Sequence, residues 1–95
     1  MIKRAPTQDR SVKITFVMPK DVGPVSVVGD FNHWDPLASP LRARSNGTRS
    51  VAMTLPAGEV YRFRYLDAAG RFFDDADCDG HEDNGYGQTH GLLRT

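Results

Sequence analysis

The chain is predicted to fold as an all-β, immunoglobulin-like antiparallel sandwich of about 6 to 8 short strands. Three observations carry that prediction. Apolar residues recur with a period of two in several separate stretches, Gly and Pro cut those stretches apart, and no long segment keeps a helical period. At 95 residues the chain can hold one core and is too short for two.

Residues 1–10 are polar, contain Pro6 and lack periodicity, which predicts a flexible leader ahead of a single domain over 11–95. From Ser11, Val12, Ile14, Phe16 and Met18 alternate with Lys13, Thr15 and Val17, and Pro19 ends this first strand. Residues 19–24 form a loop, and Val25 to Val28 form a second strand. Residues 36–47 hold Pro36, Pro40, Ser45, Asn46 and Gly47, so an irregular stretch is expected, with Leu37 and Leu41 tucked beneath it. Arg49 to Leu55 alternates again and stops at Pro56-Ala57-Gly58. Glu59 to Leu66 follows, with Tyr61, Phe63 and Tyr65 on one face and Arg62, Arg64 and Leu66 on the other. After the turn Ala68-Ala69-Gly70 comes a short strand, Arg71-Phe72-Phe73, then a long acidic loop. Leu92 and Leu93 supply a last edge strand.

The most distinctive stretch is Gly29-Asp30-Phe31-Asn32-His33-Trp34-Asp35-Pro36, which ends the second strand, turns the chain and carries its single Trp among turn-formers. Gly29 permits a close backbone approach, Asp35 bonds back to nearby backbone, and Pro36 fixes φ. A lone Trp in so small a chain is more often buried than displayed. Phe31 is the better candidate for the buried ring of this turn, which leaves Trp34 to face outward.

Charge narrows the partners. Twelve Lys and Arg balance 12 Asp and Glu, so the surface lacks the basic excess that nucleic acid or an anionic membrane demands. One cysteine, Cys78, excludes an internal disulfide and a Cys-x-x-Cys pair. The basic start at Lys3-Arg4 is not followed by an apolar signal segment, and no run approaches the ~20 apolar residues of a membrane span. A soluble, cytoplasmic chain without a cofactor is expected. Without a signal segment, Asn46-Gly47-Thr48 reads as a turn and not as a glycosylation site.

From about Ser11 onward four blocks fall in a recognisable order: Val27-Val28-Gly29-Asp30-Phe31-Asn32-His33-Trp34, Leu55-Pro56-Ala57-Gly58-Glu59, Tyr61-Arg62-Phe63-Arg64-Tyr65-Leu66-Asp67 and Gly70-Arg71-Phe72. In these the chain resembles the family 48 carbohydrate-binding modules, the isoamylase-type early-set domains. Such domains precede the catalytic barrels of glycogen-branching and debranching enzymes of glycoside hydrolase family 13, and form the glycogen-binding domain of the AMP-activated kinase β subunit. The resemblance implies an early-set sandwich that binds α-1,4-glucan chains (glycogen, maltooligosaccharides), with a glucan-metabolising enzyme as a further partner. Members that bind glucan use two tryptophans, a basic residue between them and an amide near the last strand. Carried over, Trp34 matches the first tryptophan and Arg64 the basic position, while Phe72 stands at the second tryptophan. Tyr86-Gly87-Gln88-Thr89-His90 resembles the segment of loop contacts, with His90 at the amide position.

The physical requirements of a sugar site agree. A glucose ring lays a face of C–H groups on an aromatic plane while its hydroxyl rim seeks polar partners. Trp34 and Phe72 could supply the rings and Arg64 and His90 the donors, with Asn32 and Gln88 as second choices. Phe72 has less area than Trp and no N–H, so it makes the weaker platform.

Other chemistry is less well supplied. Asp75-Ala76-Asp77-Cys78-Asp79-Gly80 reads as the first half of a calcium loop, but Tyr86 stands at the twelfth position, where a bidentate Glu belongs. Calcium on Asp75, Asp77 and Asp79 is the alternative to a solvated acidic loop. Glycosidase chemistry needs two carboxylates held about 5 to 9.5 Å apart in a rigid cleft, which an acidic loop on a small sandwich does not promise. Cys78 lies between two aspartates, a poor setting for a nucleophilic thiol. A non-catalytic glucan-binding module is therefore the leading expectation. Its rivals are a protein-interaction or structural early-set domain that has lost the sugar, and the accessory domain of a larger enzyme. The start at Met1 and the end just past the last strand point to a complete small protein.

Overall fold

The computed structural model describes residues 1–7, 9–83, 85 and 88–95. Among these the chain forms nine strands and no α-helix. One sheet holds β1 (Ile2–Pro6), β2 (Ser11–Pro19), β5 (Thr48–Pro56) and β4 (Arg42–Ala43), in the order β1-β2-β5-β4. The other holds β3 (Val25–Gly29), β6 (Val60–Asp67), β9 (Thr89–Arg94) and β8 (Gly80–Asp83), in the order β3-β6-β9-β8, and β7 (Phe72–Phe73) pairs with β6 as well. Every pairing is antiparallel. The two sheets pack face to face as the expected β-sandwich.

The core follows from the alternation. Val12, Ile14, Phe16 and Met18 of β2 face Val25, Val27, Phe63, Tyr65 and Leu93 of the second sheet. Phe16 is the hub, with ring centroids 5.4 Å from Phe63, 5.7 Å from Phe31 and 6.3 Å from Tyr65. The Tyr65 hydroxyl is buried and donates to Asp75 Oδ2 at 2.6 Å. Burial first, then that hydrogen bond, pushes its pKa far up. Asp75 also accepts from the Asp77 N–H at 2.8 Å, and the Met1 amino group lies 3.2 Å from it.

Four expectations need correction. The leader is not outside the fold: Ile2 to Pro6 forms β1, in register from Ile2↔Phe16 to Pro6↔Val12. Its polar side chains concealed a segment whose role is to cover the backbone edge of β2. The acidic loop contains β8, so β9 lies inside its sheet and is not the edge strand; the backbone groups of β9 are satisfied by pairing that the charge of β8 does not prevent. The stretch 36–47 contains β4, and Leu37 stands in solvent while Leu41 is buried. Ser39 and Leu41 bond to the edge of β3 through Val27 N–H to Ser39 O at 3.1 Å and Leu41 N–H to Val25 O at 2.9 Å.

Gly29 is the tightest position. A Cβ there would lie 2.5 Å from the Arg62 carbonyl oxygen and 2.8 Å from Phe63 Cβ. Gly29→Ala is expected to destabilise the fold by at least about 2 kcal/mol, read as a lower midpoint in urea at unchanged slope. A midpoint equal to the parent's would contradict that packing.

Candidate functional site

The turn after β3 is held by Asn32. Its Oδ1 accepts the Gly29 N–H at 3.0 Å, and its Nδ2 donates to Val27 O at 3.0 Å and Ser39 Oγ at 3.1 Å. Asn32 is thereby a turn-former with its amide fully committed, which corrects its expectation as a sugar donor. His33 and Trp34 both take positive φ, 57° and 56°, a left-handed conformation that is uncommon outside glycine and costs backbone strain. These two residues reverse the chain. Phe31 turns inward, 6.0 Å from Tyr61 as well as against Phe16, while Trp34 turns out and keeps 37% of its surface exposed.

Trp34 lies on the outer face of the β3-β6-β9-β8 sheet, where contacts brace it on two sides. Its Nε1–H donates to Asp30 Oδ1 at 3.1 Å, and its ring meets His90 edge-on at 6.4 Å. Asp30 Oδ2 accepts the Arg62 N–H at 2.9 Å and lies 3.7 Å from Arg62 Nη1. Arg62 Nε donates to Glu82 Oε1 at 2.7 Å, which is also 3.1 Å from His90 Nε2. Trp34, Asp30, Arg62, Glu82 and His90 thus close a circuit around the indole. The Arg62 hydrogen bond, then that of His90, holds the Glu82 carboxyl below its usual range.

The second cluster lies one step along β6. Alternation buries Phe63 and Tyr65 and sends Arg64 out, paired with Val28 on one side. Its Nε donates to Asp74 Oδ1 at 3.1 Å, its Nη1 donates to Gln88 Oε1 at 3.1 Å, and its guanidinium carbon stands 5.4 Å from the Phe72 ring centroid. Thr89 Oγ1 adds a bond to Asp74 Oδ2 at 3.2 Å. Phe72 is 49% exposed and sits across from Leu66, so it lies on the side of Arg64 away from Arg62.

Trp34, Arg64, Phe72 and Gln88 therefore share one sheet face. His90 reaches that face too, but it is 7% exposed and engaged by Glu82, so it supports the indole from below. Sequence reasoning gave Asp30, Arg62, Glu82 and Asp74 no part in the sugar site. Arg62 was legible as the other outward base of β6 and Asp30 as a member of the turn motif, whereas Glu82 and Asp74 lay in what read as a solvated loop. Tyr86 and Gly87, expected among the loop contacts, lie outside the described residues.

The calcium alternative is not supported by the arrangement of its carboxylates. Asp75 is buried against Tyr65, and Asp79 Oδ2 bonds to Arg4 and to the Arg94 N–H. Among the described residues no cluster of three or more His, Cys, Asp or Glu could hold a metal ion. The fold does bring Cys78 Sγ to 3.5 Å from His81 Nε2, yet the same nitrogen faces Asp74 at 4.0 Å. A thiol relay uses one ring nitrogen for the nucleophile and the other for the carboxylate.

A lowered folded-state pKa means that Glu82 stabilises the fold above the ordinary carboxylate range and loses that contribution as pH falls through the lowered value. The melting temperature of Glu82→Gln is therefore expected to lie below the parent's at neutral pH, with the gap narrowing on the acid side. A gap that stays constant across that range would contradict the ionised circuit.

Against known proteins, no family model matches the chain. Over 54 residues it is 39% identical to a 1,4-alpha-glucan branching enzyme GlgB 2 of Xanthomonas campestris pv. campestris, and 35% identical to the GlgB enzyme of Thermosynechococcus vestitus, covering 56% of this chain and 7% of each relative. Over 47 residues it is 43% identical to the GlgB enzyme of Rhodopseudomonas palustris, covering 48% of this chain and 7% of that relative. No helix among the described residues is long and apolar enough to cross a membrane. Over about half its length, the chain is similar to a small portion of glucan branching enzymes.

Proposed function

We propose that this chain is a non-catalytic α-glucan-binding module of the family 48, early-set type, acting on glycogen and related α-1,4-linked chains in the cytoplasm. The observation that carries the reading is the shared face: an exposed indole and an exposed phenyl ring flank Arg64 on one side of one sheet. A pyranose ring stacks its C–H face on Trp34, and its hydroxyls bond to the Arg64 guanidinium. Asp74, Gln88 and Phe72 hold Arg64 in place, so little side-chain entropy is lost when sugar binds. The indole N–H is already engaged by Asp30, which leaves Trp34 to act by stacking.

The relatives' names describe branching of glucans. Because the matched region is 7% of each, the reading assigns it attachment to the polysaccharide rather than bond rearrangement, as an accessory domain would provide. The site is shallow, so its affinity is modest.

A second reading, a protein-interaction domain that kept the sandwich and lost the sugar, is favoured by two features. Arg64 stands over Phe72, and His90 and Asn32 are committed inside the fold. Trp fluorescence during a maltooligosaccharide titration separates the two, since a flat signal up to millimolar sugar selects the second.

Trp34→Ala is expected to weaken glycogen co-sedimentation at least about tenfold, equivalent to about 1.4 kcal/mol, while changing stability by less than about 1.5 kcal/mol. Retained co-sedimentation, or a loss of stability of several kcal/mol, would remove Trp34 from the site.

A further inference from the structure

A cleft of about 220 Å³ opens at the edge of β3, bounded by the 36–41 loop and the turn after β6. Its walls are largely apolar, formed by Pro24, Pro40, Leu41 and Leu66, and two charged residues line it, Arg49 and Asp67. It includes neither Trp34, Arg64 nor Phe72, and it adjoins the proposed glucan face through Leu66, the strand partner of Phe72.

Arg49 occupies the alternation of β5 that directs Val51, Met53 and Leu55 to the core, and its stem enters between the sheets as a long cationic side chain can. Its Nε is buried without a hydrogen-bond partner. Arg4, Arg62 and Arg64 each have a carboxylate partner, whereas the Arg49 side chain has no ion pair or hydrogen bond among the described residues. Asp67 does not supply one: its Oδ1 accepts the N–H groups of Ala69 and Arg71, both at 2.9 Å. A buried guanidinium N–H facing no acceptor is costly and uncommon in native folds, and the side chain that carries it lines the cleft.

We propose that this cleft binds a small organic monocarboxylate with a short apolar tail, its oxygens on the Arg49 guanidinium and its tail against Pro24, Leu41 and Leu66. A guanidinium fork matches a carboxylate in shape and charge. A phosphate dianion would demand several further donors, whereas Ser26 is the one uncharged side-chain donor in the lining and the prolines at 24, 36 and 40 offer no N–H. The volume is below the roughly 300 Å³ at which pockets for drug-sized ligands begin, which limits the guest to a small molecule.

The test is a titration of isotope-labelled protein with hexanoate and, separately, hexanamide, followed by amide NMR. Saturable shifts at Ser26, Leu41, Arg49 and Leu66 are expected with hexanoate and not with hexanamide. They are expected to vanish in Arg49→Met and to need at least about tenfold more hexanoate in Arg49→Lys, which keeps the charge without the fork. No response to hexanoate, an equal response to hexanamide, or a response unchanged in both variants would overturn the proposal.

Discussion

The site depends on one steric allowance. Gly29 presses so closely on β6 that any side chain would strike the Arg62 carbonyl and Phe63. This lets the chain leave β3 directly over its neighbouring strand. Asn32 then ties the turn to Val27 and Ser39, and the left-handed backbone at His33 and Trp34 reverses the direction of the side chains. The result separates two aromatic residues only three positions apart, sending Phe31 into the core and Trp34 onto the sheet.

The charges around Trp34 orient it more than they stabilise the fold. Exposed ion pairs contribute little individually, and Arg62 and Glu82 are both substantially solvated. Their geometric effect is larger, because Asp30 fixes one edge of the indole while the Glu82-bound His90 braces it in an edge-type ring contact. Arg64 is held in the same manner by Asp74, Gln88 and Phe72. A surface already arranged before a ligand arrives loses less entropy on binding.

Where one face of a strand is buried, the sequence alone was sufficient. The alternation in Ser11–Pro19 and Val60–Asp67 placed Phe16, Phe63 and Tyr65 in the core and Arg62 and Arg64 outside, and the Phe31 and Trp34 orientations followed from the turn. Strands without a buried face were not legible. Ile2–Pro6 and Gly80–Asp83 pair through backbone groups that leave no period in the side chains. The loss of His90 and Asn32 as surface donors was equally hidden, since it depends on Glu82, Ser39 and Val27, partners set by the fold and not by spacing. The Arg49 cleft had no signal either, because an Arg at an inward strand position reads as a solvated charge until its neighbours are known.

The most direct test of the central claim is the indole N–H resonance of Trp34, the chain's single Trp, followed while a maltooligosaccharide is added. A saturable shift of this resonance, moving together with the Arg64 side-chain Nε–H signal, is the expected result. A binding curve carried by other residues while both signals stay fixed would contradict the placement of the glucan on this face.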